Sequence, residues 1–262
     1  MIFLSKNGKD AYINAFAKAC NSPVVEHVEK DNPQPIMFRS IVKKEFIKYR
    51  LENKLPFYYM DSGYFGNYKS EKNPAGIKKW MRIVKNGLQH NDIQKVSSNR
   101  WYDNFNYPIK QQTRQGKYIL LVLPSEKPCK YYGVDLEQWT ENTIKQIKQC
   151  TDRPIKIRAK PGTRSERLQN TIFDDLQNAW AMVTYNSIAA VESVISGVPA
   201  FTLAPTAADP VCDKDLVYLE NPTIHHKDKL RSWAYHLAHG QYHIDEIKSG
   251  AALKMLERYE SY

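Results

Sequence analysis

Asn186, Ser187 and Glu192 lie in the stretch Trp180 to Leu203, where apolar runs flank a single polar bend. Ala181 to Thr184 is an apolar run of strand length, too short for a helix. Asn186 and Ser187 are helix-capping types at the point where a helix should begin. Ala189, Ala190, Ser193 and Gly197 give that helix a small-residue side; Gly197 ends it, Pro199 follows, and Ala200 to Leu203 is the next strand. A polar turn feeding a helix N-terminus can hold an anion, because the first N–H groups lack intrahelical partners and the helix dipole adds positive potential. One turn on, Glu192 is a lone acid among small and apolar residues. A buried acid requires a partner, and the paired hydroxyls of a ribose would serve. Phosphate at the bend and ribose at the glutamate describe a nucleotide diphosphate, although α/β proteins that bind no nucleotide contain such units too.

Two further groups are placed for chemistry. Asp61 follows the apolar strand Phe57 to Met60 and precedes Ser62-Gly63. In open α/β sheets ligands bind beyond the C-terminal ends of strands, so Asp61 is either a catalytic carboxylate or the anchor of an Asx-type turn. The strand Pro154 to Ala159 ends in Arg158-Ala159-Lys160-Pro161-Gly162, two cations able to neutralise a diphosphate or simply a polar strand end. No metal is expected. Asp213-Lys214-Asp215 matches D-x-D over three residues only, and His236, His239 and His243 are interrupted by Gly240 and read as structural.

The elements that must position these groups alternate strand and helix. Residues 2–4 read as a strand, Asp10 to Cys20 as a helix capped by Asp10, and Pro23 to Val28 and Pro35 to Phe38 as short strands. Ile41 to Asn53 is a basic amphipathic helix with Lys43, Lys44, Lys48 and Arg50 on its charged face, either solvated or tracking phosphates. Lys69 to Arg114 mixes cations with aromatic residues, among them Trp80, Arg82, Arg100 and Trp101. That mixture suits an extruded or single-stranded nucleotide, or else core aromatics under a solvated loop. Tyr118 to Leu123 is an apolar strand, Leu136 to Gln149 an amphipathic helix, and Ile172 to Ala179 a short helix with Asp174 and Asp175 in solvent. Leu216 to Leu219 reads as a strand, and Lys227 to Tyr259 as helical with a break near Gly240.

A chain of 262 residues, 42% hydrophobic and 25% charged, is globular and has room for one domain or two small ones. No apolar run approaches a membrane span of about 18 residues, and MIFLSKNGKDAY turns polar too soon for a signal peptide. The four cysteines show no metal or redox spacing and read as reduced thiols of a cytoplasmic protein. The net charge of +10 is lopsided: residues 1–116 hold 20 Lys and Arg against 10 Asp and Glu, and residues 117–262 hold 18 against 18. A polyanion partner for the first half would account for this, as would a lysine-rich soluble surface.

The pattern N-S-x-x-x-x-E-S-x-x-x-G-x-P over residues 186–199 resembles the donor-site segment of GT-B glycosyltransferases, above all the capsule-polysaccharide-type transferases. The segment D-S-G-Y-F at Asp61 resembles their E-D-G-F-like segment. R-x-K-P at Arg158 resembles their R-P-H-P-like segment, with Lys160 where a histidine is common. The tail W-A-Y-H-L-A-H-G-Q-Y-H-I-D-E-I-K-S-G is similar to the end of small GT-B-like proteins of bacteriophages. The resemblance implies an α/β, GT-B-like fold of two Rossmann-like halves with a cleft between them: residues 1–116 for the acceptor, 117–262 for a nucleotide-sugar donor, a UDP-sugar in the first instance. It implies that Asn186 and Ser187 hold the diphosphate with Arg158 and Lys160, that Glu192 holds the ribose, and that Asp61 lies in the catalytic cleft. The basic first half and the phage-like tail together suggest double-stranded DNA carrying a flipped 5-hydroxymethylcytosine as acceptor, with Lys43, Lys44, Lys48, Trp80, Arg82, Arg100 and Trp101 as its contacts, and no membrane partner. The alternatives are a transferase acting on a capsule or cell-surface polysaccharide or lipid precursor, and a non-enzymatic nucleic-acid-binding module.

Overall fold

The computed structural model describes all residues except 6–7, 42–43, 68–72, 74, 163–165, 167–168, 170 and 260–262. Lys43 therefore lies outside the described residues. In chain order the elements are β1 (Ile2–Leu4), α1 (Ala11–Ala19), β2 (Val24–Val25), β3 (Ile36–Arg39), α2 (Lys44–Glu52), β4 (Phe57–Ser62), β5 (Trp80–Lys85), α3 (Asn99–Asn104), β6 (Tyr118–Val122), α4 (Glu126–Tyr132) and α5 (Leu136–Cys150). There follow β7 (Ile155–Arg158), α6 (Ile172–Leu176), β8 (Ala179–Thr184), α7 (Ala189–Ile195), β9 (Ala200–Thr202), α8 (Lys227–His239), β10 (Gln241–His243), α9 (Ile244–Ser249) and α10 (Ala251–Tyr259). The chain is a mixed α/β protein of two compact units, residues 1–90 with 237–262, and residues 91–236. No helix among the described residues is long and apolar enough to cross a membrane.

The first unit holds a sheet in the order β10-β5-β4-β3-β1-β2. Strands β1 to β4 run parallel; β5 is antiparallel to β4, and β10 to β5. Parallel strands are covered on both faces and so read as continuous apolar runs, which is why Phe57 to Met60 are all buried. Phe3, Phe16, Met37, Met60, Met81 and Tyr242 share one core. Asp10 caps α1 as its residue type suggested, accepting the N–H of Tyr12 at 3.0 Å and of Ile13 at 3.1 Å. Arg50, expected on the charged face of α2, is fully buried and donates to the carbonyls of Lys30, Asn32, Gln34 and Pro56.

The second unit holds a wholly parallel sheet, β7-β6-β8-β9, around Ile119, Leu121, Ile147, Ala181, Val183 and Phe201. Gly116 enters it at φ +141°, and a Cβ there would lie 2.4 Å from the Ala179 carbonyl carbon and the Trp180 nitrogen. Neither backbone atom can move aside, so Gly116→Ala is expected to destabilise the protein by roughly 2–4 kcal/mol. A lowered urea midpoint measures this; an unchanged midpoint contradicts the close approach.

The structure differs from the sequence reading in several places. Lys69 to Arg114, read only by its composition, contains β5 and α3, and Trp80, Trp101 and Phe105 are core aromatics. Leu216–Tyr218 is a 3₁₀ turn rather than a strand, capped by Asp215 through the N–H of Val217. The unit boundary falls after His90, not at residue 116, and residues 237–262 belong with the first unit because β10 pairs with β5.

Candidate functional site

In the second sheet β6 leads to β7 on one side, and the chain then returns to place β8 on the other. The strand order therefore reverses between β6 and β8, and the crevice outside the carboxyl ends of strands at such a reversal is where open α/β sheets bind ligands. The segments emerging there are Leu123 to Ser125 and Tyr185 to Ser187. Asn186 and Ser187 thus stand at the topologically favoured place. The Ser187 Oγ accepts the N–H of Ala189 at 3.2 Å, whereas the N-cap of α7 is Ile188, which makes no side-chain cap. Beside the bend the Tyr132 ring meets Tyr185 edge-on at 5.6 Å, with Trp139 on Tyr185 at 5.9 Å. This aromatic floor beneath the bend comes from α4 and α5, and no local motif announced it.

Glu192 is 9% exposed within a helix whose every residue is buried. Burial, and then the charge of Glu192, push the Tyr107 phenol well up. Lys160 is exposed at the end of β7. Arg158 is different: its guanidinium pairs with Asp175, which also takes the Lys156 ammonium at 2.6 Å. Asp175 is thus 14% exposed rather than solvated. Burial lifts its carboxyl, and the hydrogen bonds from Lys156 and Arg158 more than reverse that, holding it below the ordinary carboxylate range. Arg158 is thus held by a carboxylate that it shares with Lys156, two cations on one anion. Since β7 and β8 flank β6, their ends are two strand spacings, roughly 10 Å, apart.

At the end of β9, Lys214 donates to Thr202 Oγ1 at 2.8 Å and pairs with Asp209, which accepts the Thr206 N–H at 3.0 Å. In the sequence Lys214 was only the middle of D-x-D. Its neighbours serve turns: Asp213 accepts the N–H and hydroxyl of Thr223 at 2.8 and 2.6 Å. His236 is fully buried, with Nε2 3.1 Å from Asp92 and Nδ1 accepting the Gln94 N–H at 3.1 Å, and His243 caps α9.

In the first unit Asp61 lies at the C-terminal end of β4, inside the strand rather than in a turn beyond it. Its side chain is 31% exposed. Oδ1 accepts the Ser62 N–H and Oδ2 the Tyr59 hydroxyl, each at 2.7 Å, and Arg82 Nη2 is 3.6 Å from Oδ2. Burial pushes the carboxyl up, but Arg82, then Tyr59, Ser62 and Arg39, outweigh it and hold the group below its ordinary value. Arg39, at the end of the neighbouring β3, pairs with Asp10 at 3.0 Å. Asp61 is therefore an ionised, half-exposed carboxylate at a strand end, able to accept a proton from a hydroxyl.

Four of the residues expected to contact DNA are buried. Trp80, Arg82, Arg100 and Trp101 are 8%, 4%, 8% and 2% exposed. Trp80 meets His243 edge-on at 5.1 Å, and Trp101 packs against Phe105, Tyr107 and Tyr235. Base stacking requires a free aromatic face, and these faces are occupied by the core. Lys44 pairs with Glu45 at 3.9 Å. Lys48 lines a hollow of about 280 Å³ in which Lys30 alternates with Glu45 and Glu52, so it adds no continuous basic track.

Comparison with solved structures gives this fold a counterpart. The β-Kdo 2,4 transferase of Thermosulfurimonas dismutans KpsC superposes with a TM-score of 0.52 at 11% identity, over 90% of this chain and 89% of that one. The β-Kdo 2,7 transferase of the same protein aligns over 97% and 99% at 12% identity, with a TM-score of 0.48. No protein-family model and no curated protein matches the sequence. What this chain shares with the 2,4 transferase is the α/β fold with parallel sheets.

Proposed function

We propose that the chain is a glycosyltransferase moving a sugar from a nucleotide-sugar donor to a hydroxyl acceptor. One observation carries this reading: the Asn186–Ser187 bend stands at the strand-order reversal of a parallel sheet, in a fold shared with a sugar transferase. In the proposed reaction the acceptor oxygen bonds the anomeric carbon while its proton passes to Asp61. The bond from that carbon to the donor phosphate breaks, its electron pair leaving with the phosphate. The N–H groups of the bend and Lys160 stabilise that charge as it develops, and Glu192 takes the ribose hydroxyls. Because these groups supply the positive potential, no obligatory metal is proposed, and transfer should survive a chelator.

For the acceptor we favour a hydroxyl of a capsule or cell-surface polysaccharide or lipid precursor. The hydroxymethylated-DNA reading leaned on the basic first half and the phage-like tail, and the burial of Trp80, Arg82, Arg100 and Trp101 removes four of the contacts it named. Calorimetry with a panel of nucleoside diphosphates and nucleotide sugars tests the donor side. Glu192→Gln should weaken the best binder about tenfold to a hundredfold, the worth of a hydrogen bond to a charged group. Equal affinity in the two proteins would remove Glu192 from the site, and no binding by the native chain would remove the donor reading.

A further inference from the structure

In the antiparallel pair β4–β5 Asp61 stands directly opposite Arg82, so opposite charges meet on one face of the sheet. Arg82 is held from several sides. It donates to the Ser62 carbonyl at 2.6 Å and the Leu88 carbonyl at 3.3 Å. Its guanidinium lies over the rings of Tyr59 and Tyr64, 5.6 and 5.5 Å from their centroids. Tyr64 is itself fixed: its hydroxyl is 3.0 Å from His90 Nδ1 and accepts the His90 N–H at 3.1 Å. Tyr59 comes two residues before Asp61 and so shares its face of the strand. The side chain of Arg82 is 5% exposed and Tyr59 2%, whereas Asp61 keeps 31%. The carboxylate therefore has a rigid, buried backing and one open edge.

Its two oxygens are not equivalent. Among the described residues, Oδ2 has both the Tyr59 hydroxyl and the Arg82 guanidinium, and Oδ1 has the Ser62 N–H alone. A carboxylate oxygen accepts at two lone pairs, so Oδ1 keeps one position in reserve. We infer that Tyr59 and Arg82 are positioning residues for Asp61, clamping Oδ2 so that Oδ1 receives the proton of the incoming hydroxyl. This rests on the reading of Asp61 as the general base. A base held this way is preorganised by neighbours that never touch substrate. The proton moves from the acceptor oxygen to Oδ1, and Tyr59 and Arg82 exchange none.

The charged and titratable groups facing the carboxylate are Arg82, Tyr59, Tyr64 and, from β3, Arg39. Removing the Tyr59 hydroxyl takes one donor from the ionised form and leaves the burial, so the titration must move upward. The experiment is carboxyl-carbon NMR of the full chain labelled at aspartate, with transfer kinetics, on the native protein, Tyr59→Phe, Arg82→Lys and Asp61→Asn. Tyr59→Phe removes a single oxygen and keeps the ring, so it remains informative should the Arg82 variant fail to fold. It should raise the Asp61 midpoint and lower kcat about tenfold to a hundredfold, with KM for the donor unchanged. Arg82→Lys, which keeps the charge but loses the planar fork, should also lower kcat. Loss of turnover in Asp61→Asn with native turnover and an unmoved midpoint in Tyr59→Phe would overturn the positioning role alone. Native turnover in Asp61→Asn would overturn the base reading, and this inference with it.

Discussion

Asp61→Asn is expected to reduce transfer by a factor of about 10² to 10⁴, the usual contribution of a positioned general base, while leaving donor affinity within about twofold of native. The substitution keeps the size of the side chain, but its one oxygen can accept from only one of the Ser62 N–H and the Tyr59 hydroxyl, and an amide cannot take up the proton. The split between turnover and binding separates this from a general loss of structure. Asp61 also contributes to stability with a definite sign. Its folded value lies below the unfolded one, so the stabilisation is present above the unfolded value and is lost as pH falls through the folded one. Native protein should therefore lose more stability than Asp61→Asn on acidification through the carboxylate range. Parallel acid profiles for the two proteins would show the carboxylate to be energetically idle.

The largest stability effect is expected at Arg50. Its guanidinium donates to four carbonyls, at 3.1 Å (Lys30), 3.0 Å (Asn32), 3.0 Å (Gln34) and 2.6 Å (Pro56). It thereby fixes the approaches to β3 and β4, the strands that end at Arg39 and Asp61. Arg50→Met fills the volume but strands these acceptors, at a cost of roughly 3–5 kcal/mol in all. Arg50→Lys should recover only part of that, since an ammonium cannot reproduce the planar fork. Urea unfolding should show a lower midpoint with an unchanged slope. Values within about 0.5 kcal/mol of native, the range of ordinary surface substitutions, would contradict the role.

Arg50 also shows where the sequence stops being readable. With Lys43, Lys44 and Lys48 it looked like one more cation on a basic helix face. It lies three residues after Ile47, on the side of the helix that Ile47 buries, but the carbonyls that make burial tolerable come from distant loops. The same holds for β5. Trp80, Arg82 and Val84 alternate with Met81 and Ile83 in strand fashion, yet Arg82 turns inward only because Asp61 faces it across the pair. β10 is too short for periodicity to separate it from the surrounding helices. It is pinned by Gln241, which accepts the N–H groups of Tyr64 and Phe65 at 2.6 and 3.0 Å. By contrast, β6, β8 and α7 were legible, because their apolar runs and closing Gly197-Val198-Pro199 are local signals. The bend at Asn186 was legible for the same reason, and Tyr132, Trp139 and Lys214 beside the strand ends were not.

The central claim is that sugar leaves a nucleotide carrier at the Asn186 bend for a hydroxyl activated by Asp61. It is tested most directly by incubating the full chain with a panel of nucleotide sugars against oligosaccharide, glycolipid and hydroxymethylated-DNA acceptors, then weighing the products. The account predicts a single sugar increment on a carbohydrate acceptor, present with native protein and lost with Asp61→Asn. An increment found only on DNA would contradict the choice of acceptor, and no increment on any acceptor would contradict the claim itself.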